Sequence, residues 1–128
     1  MPTRQRQTVD ALIRAYNTAD IATIRTLFSK SCVFRKLPKN LSIKPYNYDV
    51  FIEHTRSSLK QFTQYQVIAN EIIEDTQAER IVVRQTTTTG TPGVAALFSR
   101  ETIWTFKFDE AGAKVVELTE FMGREPGY

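Results

Sequence analysis

The hydrophobic positions change period once along the chain, from the helical spacing of about 3.6 residues to the alternation of a strand. Val9, Leu12, Ile13 and Tyr16 recur at helical spacing, which predicts an amphipathic helix over residues 8–17 with one buried stripe. Asp20 then offers an N-cap for a second helix whose apolar side is Ile21, Ile24, Leu27 and Phe28. A short strand follows at 32–37, and Pro38 ends it because proline has no N–H to give a ladder; 39–46 reads as an irregular loop. Asn47 or Asp49 can cap a third helix running to about residue 61, with Phe51, Thr55, Leu59 and Phe62 along one side.

From residue 64 onward the pattern alternates, and 65–74, 80–89, 99–108 and 115–122 read as strands. A tight turn at 109–112 joins the last two, while Gly90, Pro92 and Gly93 mark a looser connection. Helices first and meandering strands afterwards predict an α+β fold: a cone-shaped, curved antiparallel sheet wrapped around N-terminal helices. Where the helices leave such a sheet unfilled, a conical cavity remains, and that is the natural place for a ligand.

Glu120 breaks the strand pattern. Val116, Leu118, Glu120 and Met122 share one face of the last strand, and Val115, Glu117, Thr119 and Phe121 the other. A carboxylate in that apolar row reaches solvent at the sheet edge, pairs with a buried cation, or lines a cavity where it can do acid or base chemistry.

The totals narrow the field. A chain of 128 residues is one domain's worth, 1–128, and its 41% hydrophobic and 24% charged content is that of a soluble globular protein without a bilayer-spanning run. Residues 1–7 are polar and lack the apolar core of a secretory signal, so the expected location is cytoplasmic. Cys32 is alone and cannot form an internal disulfide; with His54 the only histidine, the usual zinc ligand sets are missing and no metal is expected. The net charge is +3, but the 17 Lys and Arg are scattered among 14 acids without a basic block, which argues against nucleic acid as a partner.

The order of elements, with Tyr16-Asn17-Thr18-Ala19-Asp20 before the second helix and Cys32-Val33-Phe34-Arg35 after it, resembles the nuclear transport factor 2-like superfamily. Leu37-Pro38 with the Asn40-Leu41-Ser42 loop, Asn70-Glu71-Ile72-Ile73-Glu74, and Lys114-Val115-Val116 leading to Glu120-Phe121-Met122 narrow the resemblance to its fungal SnoaL-like branch, over nearly the whole chain. The resemblance implies a cone-shaped α+β barrel, a homodimer, and cofactor-free isomerisation or cyclisation of a polycyclic intermediate of fungal secondary metabolism. It matches Arg35 and Glu120 to an arginine and a glutamate that work together in semipinacolase-like and meroterpenoid members. The two tyrosines those members carry on the penultimate strand correspond to Phe98 and Thr102, with Glu101 kept between them, and an aspartate ending their last strand corresponds to Gly123. Ketosteroid isomerase offers another comparison, but its aspartate base and oxyanion tyrosine match Lys36 and Leu12, so its mechanism does not carry over. Scytalone dehydratase needs a pair of histidines that this chain lacks.

On this reading Glu120 moves a proton and Arg35 holds an enolate or alkoxide oxygen; the plain alternative for Arg35 is a structural pair with Glu120 or Glu71. His54 either faces the cavity as a proton shuttle or is a partly exposed helical histidine. Thr102, Trp104, Phe106 and Phe108 share a face that is ordinary core, the wall of a ligand site, or both, with Phe98 placed among the substrate contacts. Tyr16 is a packed core residue or a catalytic phenol, and Tyr46 and Tyr48 form a lid over the cavity mouth or lie on the surface. Cys32 reads as an inert core thiol. The hydroxyls of residues 86–89 alternate between cavity and exterior. A roomy cavity faced by Arg35 and Glu120 points to an enzyme; a filled one points to a non-catalytic binding protein or dimeric scaffold.

Overall fold

The computed structural model describes residues 2–37 and 44–122. Pro38, the Asn40-Leu41-Ser42 stretch with most of the expected loop, and Gly123 lie outside the described residues. Helix α1 (Arg4–Asn17) starts a turn before its hydrophobic stripe because Thr3 caps it, its Oγ1 accepting from the Arg6 N–H at 3.1 Å. Asp20 caps α2 (Ile21–Leu27) by accepting from the Thr23 N–H at 3.1 Å. Phe28, expected on that helix, instead opens β1 (Phe28–Leu37), so this strand begins earlier than its alternating part. Asn47 caps α3 (Tyr48–Gln61), and the meander follows as β2 (Gln64–Asp75), β3 (Arg80–Gly90), β4 (Phe98–Phe108) and β5 (Val115–Met122).

The five strands form one sheet in the order β1-β5-β4-β3-β2. Its β2–β3, β3–β4 and β4–β5 pairs are antiparallel, but β1 runs parallel to β5, so the sheet is mixed where a wholly antiparallel one was expected. The reason is the connection: no turn joins β1 to its neighbour, and a strand reached after a helix and a full meander takes its direction from the crossover.

The helices pack on the concave face. Phe34 stacks on Phe51 with ring centroids 3.9 Å apart, Phe28 closes on the same ring at 4.8 Å, and Val9, Leu12, Ile81, Val83, Phe106 and Val115 complete a dry core. Polar ties fasten α1 to the sheet and its turns, among them one at each end of the helix. Thr8 Oγ1 donates to the Gly112 carbonyl at 2.8 Å, at a turn where φ is +73° and a Cβ would strike Gln5. At the other end, the Asn17 amide donates to the Val67 carbonyl at 3.0 Å and accepts from its N–H at 2.6 Å.

One irregularity re-sorts the faces of β5. Glu117 lies opposite Lys107 and Val115 opposite Phe108, which leaves Val116 as the extra residue of a bulge. Val115, not Val116, therefore joins Leu118 in the core, while Glu120 and Met122 keep the concave face. Among the described residues no helix is long and apolar enough to cross a membrane.

Candidate functional site

The helices cover the concave face unevenly, and the remaining space is a cavity of about 620 Å³, within the ordinary range for a small-molecule site. Strands supply its floor. Inward positions alternate along β4 as Phe98, Arg100, Thr102 and Trp104, along β3 as Gln85, Thr87 and Thr89, and along β5 as Glu120 and Met122. Helix α1 gives Tyr16, and α3 gives Phe51, His54 and Thr55.

Glu120 is the anionic centre of this space. Its Cα lies opposite Trp104 on one side and Lys36 on the other, because β5 is sandwiched between β4 and β1. The Trp104 indole N–H donates to Glu120 Oε2 at 2.8 Å, and Lys36 Nζ stands 3.9 Å from Oε1. The carboxylate is thus oriented from both sides while about a quarter of its side chain stays accessible.

Arg35 does not join it. Phe34 faces the core, so the next residue must face outward, and Arg35 pairs on the convex face with Glu117 at 2.5 Å. Glu117 is held there by Lys107 as well, at 3.6 Å. The cation beside Glu120 is Lys36, two positions from Phe34. Tyr48 is not a lid residue either: it is buried at the start of α3, where its hydroxyl donates to the Arg25 carbonyl at 2.9 Å. Tyr16, Tyr46, His54, Phe98, Thr102, Trp104 and Glu120 all line the one cavity. His54 stands at its exposed side, 6.0 Å from the Tyr46 ring, and Phe98 at its rim.

Three phenols surround the carboxylate. Burial drives the Tyr16 hydroxyl far above the ordinary phenol range, Tyr65 and Glu120 adding to the effect and a hydrogen bond with Thr55 opposing it. Burial and then the Glu120 charge push Tyr46 up to about 12; the same causes, offset by Arg100, push Tyr65 to about 12. All three are therefore protonated donors at neutral pH. Tyr16 is stacked on Tyr65 at 6.0 Å and lies 5.9 Å from Trp104, while the Tyr46 ring stacks on Phe34 at 5.7 Å. Cys32 stays apart, a buried residue of β1 whose thiol is pushed up to about 12 by burial. Among the described residues, no three His, Cys, Asp or Glu cluster as a metal ligand set.

Lys36, Tyr65, Gln85 and Arg100 are among the lining residues that sequence reasoning left without a role in the site. Strand alternation carries the signal for each, counting back by two from Trp104 to Arg100, from Thr87 to Gln85 and from Val67 to Tyr65, and forward by two from Phe34 to Lys36.

No family model matches the chain. It is 26% identical over 126 residues to core atranone cluster (CAC) protein 11 of the fungus Stachybotrys chlorohalonatus, covering 96% of this chain and 90% of that protein. Its structure is similar to that of BvnE pinacolase from Penicillium brevicompactum, with a TM-score of 0.83, 16% identity, and 93% of this chain and 82% of that one covered. It is also similar to a protein from Shewanella denitrificans assigned as a SnoaL-like polyketide cyclase, with a TM-score of 0.75, 16% identity, and 93% and 90% covered. The chain thus shares the fold of these solved structures, one of them SnoaL-like, and is similar in sequence over 96% of its length to the Stachybotrys protein.

Proposed function

We propose that this protein is a cofactor-independent isomerase or cyclase acting on a largely apolar, oxygenated polycyclic intermediate of fungal secondary metabolism. The observation that carries the reading is Glu120, held by Trp104 and Lys36 inside an aromatic-walled cavity of about 620 Å³. The names of its relatives, a pinacolase, a polyketide cyclase and a biosynthetic-cluster protein, support the same general kind of chemistry.

The residues suit proton transfer beside a carbonyl. Glu120 takes a proton from the carbon next to the carbonyl, and the electron pair moves onto oxygen as an enolate. The Lys36 ammonium and the Tyr16 and Tyr46 hydroxyls supply donors for that oxygen. Where the enolate is conjugated with a double bond, return of the proton at the far carbon shifts that double bond; attack of the enolate carbon on a second carbonyl closes a ring, and the Glu120 proton passes to the new alkoxide. His54, at the exposed side, is placed to exchange protons with solvent. The same reading makes the protein a homodimer working in the cytoplasm, which a solution mass and cell fractionation test.

A second reading has its own support. Both Glu120 oxygens already face protein partners, as expected of a structural carboxylate in a catalytically silent binding protein. Incubation with a panel of oxygenated polycycles and mass-resolved product analysis separates the two. Turnover that disappears in Glu120→Gln while the circular dichroism spectrum is kept supports the enzyme; binding without turnover in the unmodified protein supports the silent relative.

A further inference from the structure

The inward row of β3 starts as ordinary core and then changes character. Ile81 and Val83 are fully buried core residues, and the next side chain of the row is Gln85, itself only 1% exposed. Across the β3–β4 ladder Gln85 faces Thr102, another polar side chain, 5% exposed. Both line the cavity. A polar pair at this depth, where hydrophobes would fill the space, calls for a physical reason.

The hydrogen bonds of the pair are incomplete. Thr87 Oγ1 donates to Gln85 Oε1 at 2.6 Å, a length that fits O–H···O and is short for N–H···O, so the amide turns its oxygen to Thr87 and its NH2 group away. Among the described residues no acceptor meets that NH2 group, and no partner meets the Thr102 hydroxyl. Neither atom is sealed in protein: each keeps a little accessible surface, and it opens on the cavity that both side chains line. The fold thus holds desolvated donors that it does not use, and a ligand oxygen placed between them recovers the cost of their burial.

Their place sets them apart from the proposed chemistry. Gln85 lies two strands from Glu120 in the order β5-β4-β3 and one inward position further along, which puts the two Cα atoms about 12 Å apart at ordinary strand spacings. Side chains reaching inward from both ends leave a gap that a fused-ring skeleton bridges. The pair offers N–H and O–H donors without charge, which suits the lone pairs of a neutral carbonyl oxygen.

We infer that the substrate carries a ketone or lactone carbonyl remote from its reacting carbon, and that the Gln85 amide, with Thr102 beside it, binds this oxygen and so fixes which carbon lies against Glu120. The inference rests on the function proposed above and names the substrate class more narrowly.

The test reads binding alone. Fluorenone and fluorene are fused-ring compounds that differ by a single carbonyl, and fluorenone has no proton beside that carbonyl to be removed. Each is dialysed to equilibrium against the full chain and its variants, and the infrared stretch of the bound carbonyl is recorded. Gln85→Leu should weaken fluorenone about five- to ten-fold, the worth of a neutral hydrogen bond, and leave fluorene within about two-fold. Thr102→Val, which keeps the side-chain shape, should weaken fluorenone about three-fold. The carbonyl stretch, lowered by hydrogen bonding in the unmodified protein, should return toward its value in hydrocarbon solvent in Gln85→Leu. Circular dichroism checks each variant, and Thr102→Val decides alone if Gln85→Leu does not fold. Equal losses for fluorenone and fluorene, or a lowered stretch that survives both substitutions, overturn the inference and leave the proposed function standing. So does a lowered stretch lost in Lys36→Met and kept in Gln85→Leu, because the carbonyl then sits at the Glu120 end. Retention of neither compound counts against the polycycle site itself, and the proposed function falls together with the inference.

Discussion

The Trp104 indole N–H donates to Glu120 Oε2 at 2.8 Å across the β4–β5 ladder, so the one tryptophan of the chain and, among the described residues, the one carboxylate of the cavity form a single unit. The bond aims the carboxylate, and in the proposed reaction Oε1, on the Lys36 side, is the oxygen that receives the proton. Trp104→Phe keeps an aromatic ring in the wall and removes the donor. The expected outcome is a kcat about ten-fold lower with KM little changed, and a loss of about 1 kcal/mol in urea unfolding. A residue that served only as apolar wall would shift KM instead.

Arg35 and Lys36 are neighbours in sequence with opposite surroundings, and this makes a paired test. Arg35 belongs to an accessible ion-pair network with Glu117 and Lys107 on the convex face, and such pairs contribute at most about 1 kcal/mol. Arg35→Ala should change turnover less than about two-fold, whereas Lys36→Met, which removes the cation facing Glu120, should lower kcat by about 10–100-fold. Steady-state kinetics on both variants check the assignment. The reverse order would return the oxyanion role to Arg35.

That contrast also marks how far the sequence could be read. Element order, the Asp20 and Asn47 caps and the inward row of Thr102, Trp104, Phe106 and Phe108 were legible because each rests on local spacing or local hydrogen bonding. The family resemblance pointed to Arg35, while the period of two from buried Phe34 points to Lys36; in a strand, a shift of one residue exchanges the faces. The Val116 bulge and the parallel β1–β5 pair were not legible, because both are set by register between strands far apart in the chain. Arg100 and Gln85 look like ordinary polar strand residues one at a time, and only counting by twos from Trp104 and Thr87 sets them on the inward rows.

The phenols predict a pH dependence at the alkaline end. Tyr46 and Tyr65 are raised from 10.0 to about 12, and Cys32 from 9.0 to about 12, all chiefly by burial. The folded state therefore holds these protons more tightly than the unfolded chain does. Their contribution is fully present below the unfolded values and is lost as pH rises through the folded ones, so stability should fall between pH 9.0 and about 12. Urea midpoints across that window, with tyrosinate absorbance followed in parallel, measure it. Tyr65→Phe should flatten the fall, and an unchanged slope would mean that the Tyr65 hydroxyl is not held in its protonated form by the fold.

The last prediction concerns the element that shapes the cavity wall. β2 is an edge strand, and its outward backbone groups need partners that no neighbouring strand gives. At Val67 the partner is the Asn17 side chain, which accepts from the N–H at 2.6 Å and donates to the carbonyl at 3.0 Å, as a paired strand would. This clamp fixes the end of α1 just after Tyr16, and so holds Tyr16 against Tyr65 in the wall. Asn17→Ala removes both bonds and leaves two backbone groups short of a partner, at an expected cost of about 2 kcal/mol. Asn17→Asp keeps the acceptor and loses the donor, so it should cost less, though the carboxylate then faces a carbonyl. Hydrogen exchange resolves the mechanism: the Val67 amide should exchange faster in Asn17→Ala than in Asn17→Asp, while Val83 in the sheet centre keeps its protection relative to global stability. Equal protection at Val67 in both variants would show that the edge is held by packing and not by the clamp.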